Sequence, residues 1–167
     1  RVRDAADQLR SRAALGTVDL CQQAGQVVDE LWSLARSRRQ DLGLDVPSTP
    51  VWVAGEAWLL QQAVSNIVSN AIKYCPRAAR ITVSVREEGG VCCLQVEDDG
   101  PGMSADDLAK AGHRFRRGEA GKALQGSGLG LAIVQAIAQI HGARMSLQPG
   151  PQQRGLIVRL EFEALEH

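Results

Sequence analysis

The sequence predicts an α+β fold, and three observations carry that expectation. Glu56 to Tyr74 keeps a helical apolar period over a long run and is stopped by Pro76. Ile81, Val83 and Val85 alternate with polar residues, and Val91 to Val96 follows Gly89-Gly90, the pattern of two strands joined by a hairpin. A further helical run, Leu131 to His141, is followed by two more strands at Met145 to Leu147 and Leu156 to Phe162.

Residues 1 to about 13 are charged and Ala-rich and read as a linker or a helix end inherited from a preceding module. Thr17 to Leu20 fits a short edge strand, and Gln26 to Arg36 sets Val27, Leu31 and Leu34 at helical spacing, a block that ends at Gly43. Pro47 to Pro50 is a turn-rich connection and Val51 to Val53 a short strand. Residues 101 to about 127 hold many glycines and charges with one aromatic, Phe115, which predicts a long loop with one short helix. In the helix after it, Ile133, Ile137 and Ile140 are expected on one buried face, with Gly142 as the stop.

With 167 residues, the chain is long enough to bury a core without staples. Lys plus Arg and Asp plus Glu number 19 each, so no net field favours nucleic acid or an anionic membrane. Cys21, Cys75, Cys92 and Cys93 show no CxxC spacing, which argues against zinc or a disulfide framework and suits a reducing compartment. The apolar stretch from Leu129 to Ile140 is too short for a membrane span. The chain opens without Met, as though cut from something longer, and Leu165-Glu166-His167 resembles the start of a histidine tag.

Three segments carry the chemistry. In the long helix Gln62, Asn66, Asn70 and Lys73 fall beside the apolar stripe of Leu60, Val64, Ile67, Val68 and Ala71. Mid-helix Asn costs about half a kcal/mol against Ala, so two of them on one face point to a use other than helix stability. An amide oxygen is a hard neutral ligand suited to Mg²⁺ that keeps waters and phosphates in its shell. Asp98-Asp99-Gly100-Pro101-Gly102 then ends a strand with a carboxylate able to accept from an exocyclic amine such as that of adenine. Gly126-Ser127-Gly128-Leu129-Gly130 opens a helix and has the form of a phosphate cradle, while fitting neither the dinucleotide fingerprint nor a Walker loop.

In this order the three segments closely resemble those of the catalytic and ATP-binding domain of bacterial sensor histidine kinases, in the gyrase-like (GHKL, Bergerat-fold) ATPase superfamily, over about Val18 to Phe162. Asn66 to Tyr74 matches the N box, Asp98 to Gly102 the first glycine box and Gly126 to Gly130 the second. The resemblance implies a two-layer sandwich, a mixed sheet of about five strands covered on one face by about three helices. It divides the chain into a preceding dimerisation helix end at 1–13, an ATP-binding catalytic domain at 14–164 and a tag remnant at 165–167.

By the same resemblance Asn70 ligates Mg²⁺, Asn66 supports that shell, Lys73 meets the phosphates and Tyr74 packs by the nucleoside. Asp98 would read adenine, with Gly100 and Gly102 shaping its turn, and Gly126, Ser127, Gly128, Leu129 and Gly130 would cradle phosphates. Arg114 to Arg117 resembles the latter half of the F box, so Phe115 would anchor a lid and Arg117 reach the terminal phosphate. Asn66, Lys73 and Arg117 would be the catalytic set, with ATP and Mg²⁺ as cofactors. The departure is Gly112, where many relatives place the first aromatic of that box.

Gyrase-like clamps carry Glu where this chain has Asn66, and an amide cannot accept a proton from water at neutral pH, so hydrolysis is expected to be slow. No His starts an acceptor-like run: His113 falls in the lid, His141 ends a helix and His167 is in the tag-like end, and each is expected on the surface. The chain therefore reads as half of an enzyme, which donates the γ-phosphoryl group of ATP to a histidine on a dimerisation module. A response regulator would be the onward partner, nucleic acid is not expected as one, and the full protein would be a membrane-anchored homodimer with this part cytoplasmic. The competing expectation is a non-catalytic module that senses ATP or ADP.

Overall fold

The computed structural model of the protein describes residues 16–101 and 131–165. Expectations for residues 1–13, for the loop over 102–127 and for the last two residues lie outside them. Strand β1 (Gly16–Asp19) pairs antiparallel with β3 (Trp52–Gly55) in a two-stranded ribbon. Helix α1 (Leu20–Ser37) begins directly after β1, six residues before the expected start. Asp19 explains both the boundary and the docking, because its Oδ1 accepts from the Cys21 amide at 3.0 Å and from the Val51 amide at 3.1 Å. Leu20, Ala24, Val27 and Val28 face the core, whereas Leu34, expected on that stripe, is exposed.

The main sheet has five strands in the order β2-β4-β5-β7-β6. These are β2 (Asp41–Asp45), β4 (Arg80–Glu88), β5 (Val91–Asp98), β6 (Arg144–Pro149) and β7 (Leu156–Glu163). β2 runs parallel to β4 and the other pairs are antiparallel, so the sheet is mixed as expected. β2 corrects the sequence reading, which ended a block at Gly43 and left no strand there. Its signal is faint because of its residues only Leu42 is buried, and Gly43 sits in the middle.

Alternation decides which face of the sheet is covered. Ile81, Val83 and Val85 on β4 stand opposite Asp98, Val96 and Leu94 on β5, and Cys92, Leu94 and Val96 stand opposite Phe162, Leu160 and Val158 on β7. All these side chains are buried, and the helices cover them. The opposite face is polar, with Arg159 donating through Nε and Nη2 to Gln95 Oε1 at 3.1 and 2.8 Å.

Helix α2 (Ala57–Tyr74) buries Leu60, Ala63, Val64, Ile67, Val68, Ala71 and Ile72, a full-length apolar stripe. Helix α3 (Leu131–Ile140) packs beside it through Leu131, Val134, Ile137 and Ala138. Here the expected face was wrong in part: Ile137 is buried, but Ile133 and Ile140 are 48% and 49% exposed. Val134 and Ala138 take the inward positions, so the stripe is rotated from the isoleucine row.

His141 is a second correction, since it is buried and not on the surface. Its Nδ1 lies 2.8 Å from the Ile137 carbonyl and its Nε2 accepts from the Glu56 amide at 3.2 Å. A carbonyl can only accept and an amide only donate, so the ring carries its proton on Nδ1. The contact satisfies a backbone donor at the start of α2, where Glu56 supplies no side-chain cap, and pins the end of α3 to it.

Gly155 precedes β7 with φ at +74°, and a Cβ there would collide with the carbonyl oxygen of Asp98. Gly155→Ala combines left-handed strain with a backbone clash and is expected to cost roughly 2–5 kcal/mol. Urea unfolding measures it, and a loss within about 0.5 kcal/mol of zero would refute the close approach.

Candidate functional site

The site forms where the flank of α2 meets the end of β5. Asn66 and Asn70 lie one turn apart and are half-buried, each preceding a buried residue of the core stripe, Ile67 and Ala71. Gln62 Nε2 donates to Asn66 Oδ1 at 3.4 Å, so the polar residues of this flank orient one another. Lys73 and Tyr74 end the helix exposed, with the Lys73 ammonium 5.4 Å from the Tyr74 ring centre.

Two residues outside the helix hold that end in place. Gln40, buried just before β2, donates through Nε2 to the carbonyls of Ile72 and Cys75, both at 2.9 Å. Arg38 Nη2 donates to the Lys73 carbonyl at 3.2 Å. Carbonyls in the last helical turn have no partner within the helix, so these contacts act as a cap supplied from the α1–β2 turn. Sequence reading missed Gln40 and Arg38 because a cap that distant in the chain leaves no local pattern.

Alternation separates the two aspartates that follow β5. Asp98 stays on the buried face with Leu94 and Val96. Asp99 turns away to the backbone of Arg80, accepting its amide at 2.6 Å and returning its own amide to the Arg80 carbonyl at 3.2 Å. The Asp98 carboxylate accepts the Gly100 amide at 3.0 Å. Burial pushes its pKa above the usual carboxylate range, hydrogen bonding led by the Gly100 amide pulls it back and the neighbouring Asp99 charge adds to the rise.

Asp98 and Asn70 line a small pocket of about 40 Å³ whose other walls are Ile67, Ala71, Val96, Leu131, Leu156 and Val158. Its walls offer apolar faces with one acceptor at the polar edge. A wider cleft of about 680 Å³ is bordered by Arg38, Lys73, Tyr74, Gly100 and Arg154. Gly100 has no room for a side chain, because a Cβ would come within 2.7 Å of Cys75 Sγ. Leu131 and Leu156 are pocket residues the sequence did not single out; Leu131 directly follows the third glycine segment.

Of the residues expected to act, the structure thus brings Asn70 and Asp98 to one pocket, with Asn66 one turn along α2. Lys73, Tyr74 and Gly100 border the neighbouring cleft. Gly102, Phe115, Arg117, Gly126, Ser127, Gly128, Leu129 and Gly130 lie outside the described residues. Among the described residues no cluster of three His, Cys, Asp or Glu could hold a metal ion.

The family model for histidine kinase-, DNA gyrase B- and HSP90-like ATPases matches residues 55–166. The sensor protein QseC of Escherichia coli (strain K12) is 32% identical over 152 residues, which cover 91% of this chain and 32% of that protein. The signal transduction histidine-protein kinase/phosphatase MprB of Mycobacterium avium (strain 104) is 35% identical over 133 residues, covering 77% of this chain and 26% of that one. The chain spans about a third or less of the length of these relatives. Among solved structures, a mycobacterial sensor histidine kinase MprB superposes with a TM-score of 0.71 at 26% identity, over 92% of this chain and all of that one. The ATP-binding domain of PrrB from Mycobacterium tuberculosis gives 0.71 at 23% identity over 91% and 98% of the two chains, a likeness of fold.

The environment of Asp98 sets a pH dependence. An adenine amine needs the ionised carboxylate as acceptor, so affinity for ATP is expected to fall as pH drops through the Asp98 pKa. Because that pKa is raised, the fall should begin at higher pH than an exposed Asp, ordinarily near ~3.9, would allow. Titration of a fluorescent ATP analogue across pH tests this, with Asp98→Asn expected to bind at least about tenfold more weakly and without that acid limb. An acid limb unchanged in Asp98→Asn would assign it to another group.

Proposed function

The chain belongs to the family of histidine kinase-, DNA gyrase B- and HSP90-like ATPases, and from that premise we propose that it is the ATP-binding catalytic part of a sensor histidine kinase, donating a phosphoryl group to a histidine on a separate dimerisation module. The observation that carries this reading is a buried carboxylate held by the Gly100 amide at the edge of an apolar pocket, with the Asn66 and Asn70 amides on the adjoining helix flank. The carboxylate suits the adenine 6-amino group and rejects the carbonyl of guanine, acceptor against acceptor.

The donor set also fits Mg²⁺. Asn70 offers one hard amide oxygen beside the pocket, and a cation held mainly by phosphates and water needs little more from the protein. Bound with the nucleotide, Mg²⁺ would supply charge neutralisation to the phosphates. Asn66 would support the Asn70 side, Lys73 would meet the phosphates from the helix end, and Arg117 would reach the terminal one. Each acts by placing charge and holding the phosphoryl group in line.

Transfer is favoured over hydrolysis by what occupies position 66. An amide there cannot take a proton from water, so a gyrase-like hydrolytic step has no base at that position. His141 is unsuited as acceptor, since it is buried with both ring nitrogens engaged. The phosphorylated histidine would then stand on another module, and a response regulator would receive the group from it. No described helix is long and apolar enough to cross a membrane; the membrane-anchored, dimeric protein with this part in the cytoplasm belongs to the same proposal.

With γ-labelled ATP the chain alone is expected to stay unlabelled and release phosphate slowly, while a separately supplied histidine-bearing dimerisation module becomes labelled. Asn70→Ala should weaken binding of ATP in Mg²⁺ about tenfold or more and make it indifferent to chelator. Fast phosphate release by the wild type would favour the hydrolytic clamp, and tight ATP binding without transfer to any module would favour a nucleotide sensor.

A further inference from the structure

Three carbonyls at the end of α2 are capped by side chains from one remote turn, between α1 and β2. Gln40 Nε2 donates to Ile72 and Cys75 at 2.9 Å each, and Arg38 Nη2 donates to Lys73 at 3.2 Å. The turn that carries them is itself fixed. The Gln40 amide donates to the Ala35 carbonyl, the Arg39 carbonyl accepts the Ala78 amide and the Asp41 amide donates to the Ala79 carbonyl, each at 2.9 Å. The segment after α2 is thereby clamped to the turn by backbone contacts, and the helix end by the Gln40 side chain.

Gln40 is 6% exposed, and its Oε1 has no hydrogen-bond partner among the described residues. Burying that oxygen is unfavourable, so the position keeps an amide for what Nε2 does. Flipping the amide would set Oε1 against two carbonyl oxygens, acceptor against acceptor, which fixes its orientation. What the cap holds is the stretch of α2 that borders the wide cleft. Lys73 and Tyr74 lie between the two carbonyls that Gln40 grips, and both line the cleft with Gly100. Helix ends whose carbonyls lack partners fray. Fraying here would leave the Lys73 ammonium on a loose backbone, whereas Asn70 and Asp98, deeper in α2 and on β5, would keep their places by the pocket.

We propose that Gln40 and Arg38 are positioning residues for the phosphates of the nucleotide, holding the end of α2 so that the Lys73 ammonium is presented to them. The inference rests on the nucleotide reading above and adds two residues from a turn remote in sequence to its phosphate side. Both act through Lys73, so their loss weakens the hold on the phosphates and leaves the base untouched. A cation on a fixed backbone meets the phosphates without first being ordered, and that saving in entropy is what the cap contributes.

The test reads the preference for ATP over adenosine in Mg²⁺, which isolates the contribution of the phosphates, in a double-mutant cycle of Gln40→Met with Lys73→Ala. Gln40→Met keeps the shape of the side chain and loses both donated bonds. It is expected to lose about fivefold of the preference with adenosine affinity unchanged, and to cost nothing further beside Lys73→Ala. An unchanged preference, an equal weakening of both ligands, or the same loss beside Lys73→Ala would reduce Gln40 to a structural cap and overturn the proposal. Should Gln40→Met fail to fold, Arg38→Met, on the exposed side of the turn, carries the same cycle. Its loss is expected to vanish beside Lys73→Ala; no loss, or one that persists there as for a direct charge contact, would overturn the proposal. If Lys73→Ala itself left the preference intact, this inference would fall while adenine binding stood. A wild type that bound neither ligand would overturn the nucleotide reading itself.

Discussion

The site depends on a single constraint: α2 must keep one stripe in the core while the stripe next to it stays polar and open. Ile67, Val68, Ala71 and Ile72 are buried, and Asn66 and Asn70 are held at the margin of the same surface. A helix turns about 100° per residue, so a rotation large enough to bury either amide would lift a methyl-rich side chain into water. Burying a polar amide is costly in its own right, and both effects hold the helix at one angle. Gln40 and Arg38 then fix its end from the α1–β2 turn, and the Lys73 to Cys75 segment is set by backbone contacts.

Strand register supplies the complementary half. Asp98 continues the inward row of Cys92, Leu94 and Val96, and the next residue is already tied to Arg80 on the neighbouring strand. Slipping β5 by one position would point Asp99 at the helices and leave Asp98 in solvent, along with the apolar row. The hairpin at Gly89-Gly90 and the eight paired positions with β7 oppose that slip. Gly155, pressed against the Asp98 carbonyl, shows how closely the start of β7 approaches the end of β5. The Asp98 carboxylate is thus placed by sheet pairing.

Legibility in the sequence followed the strength of periodicity. α2, the β4–β5 hairpin and β7 were readable because buried faces of adjoining elements demand regular apolar spacing, and the family motifs lie on or beside them. β2 was not readable, since Leu42 is its one buried residue; nor was the first turn of α1, where Cys21, Gln22 and Gln23 dilute the stripe. The face of α3 was misjudged because isoleucine was weighed above alanine, whereas the close approach of α2 selects Ala138 and Val134. His141 was misjudged because its partners, Glu56 and Phe162, are distant in the chain. Asn66, Asn70 and Asp98, which the structure brings to or beside one pocket, were singled out from their positions in the motifs; the cap by Gln40 was not legible, because it acts across elements with no repeat to announce it.

The walls of the pocket bear on how binding energy would be divided. Ile67, Ala71, Val96, Leu131, Leu156 and Val158 offer apolar contact that any flat ring would share. On the adenine reading proposed above, selection among bases would rest on one edge, at Asp98, while sugar and phosphates would run along the amide flank of α2 towards the cleft beside Lys73. Recognition of the base and handling of the phosphates would then draw on different parts of the same helix, so that substitution at Asp98 would alter the first and leave the second intact.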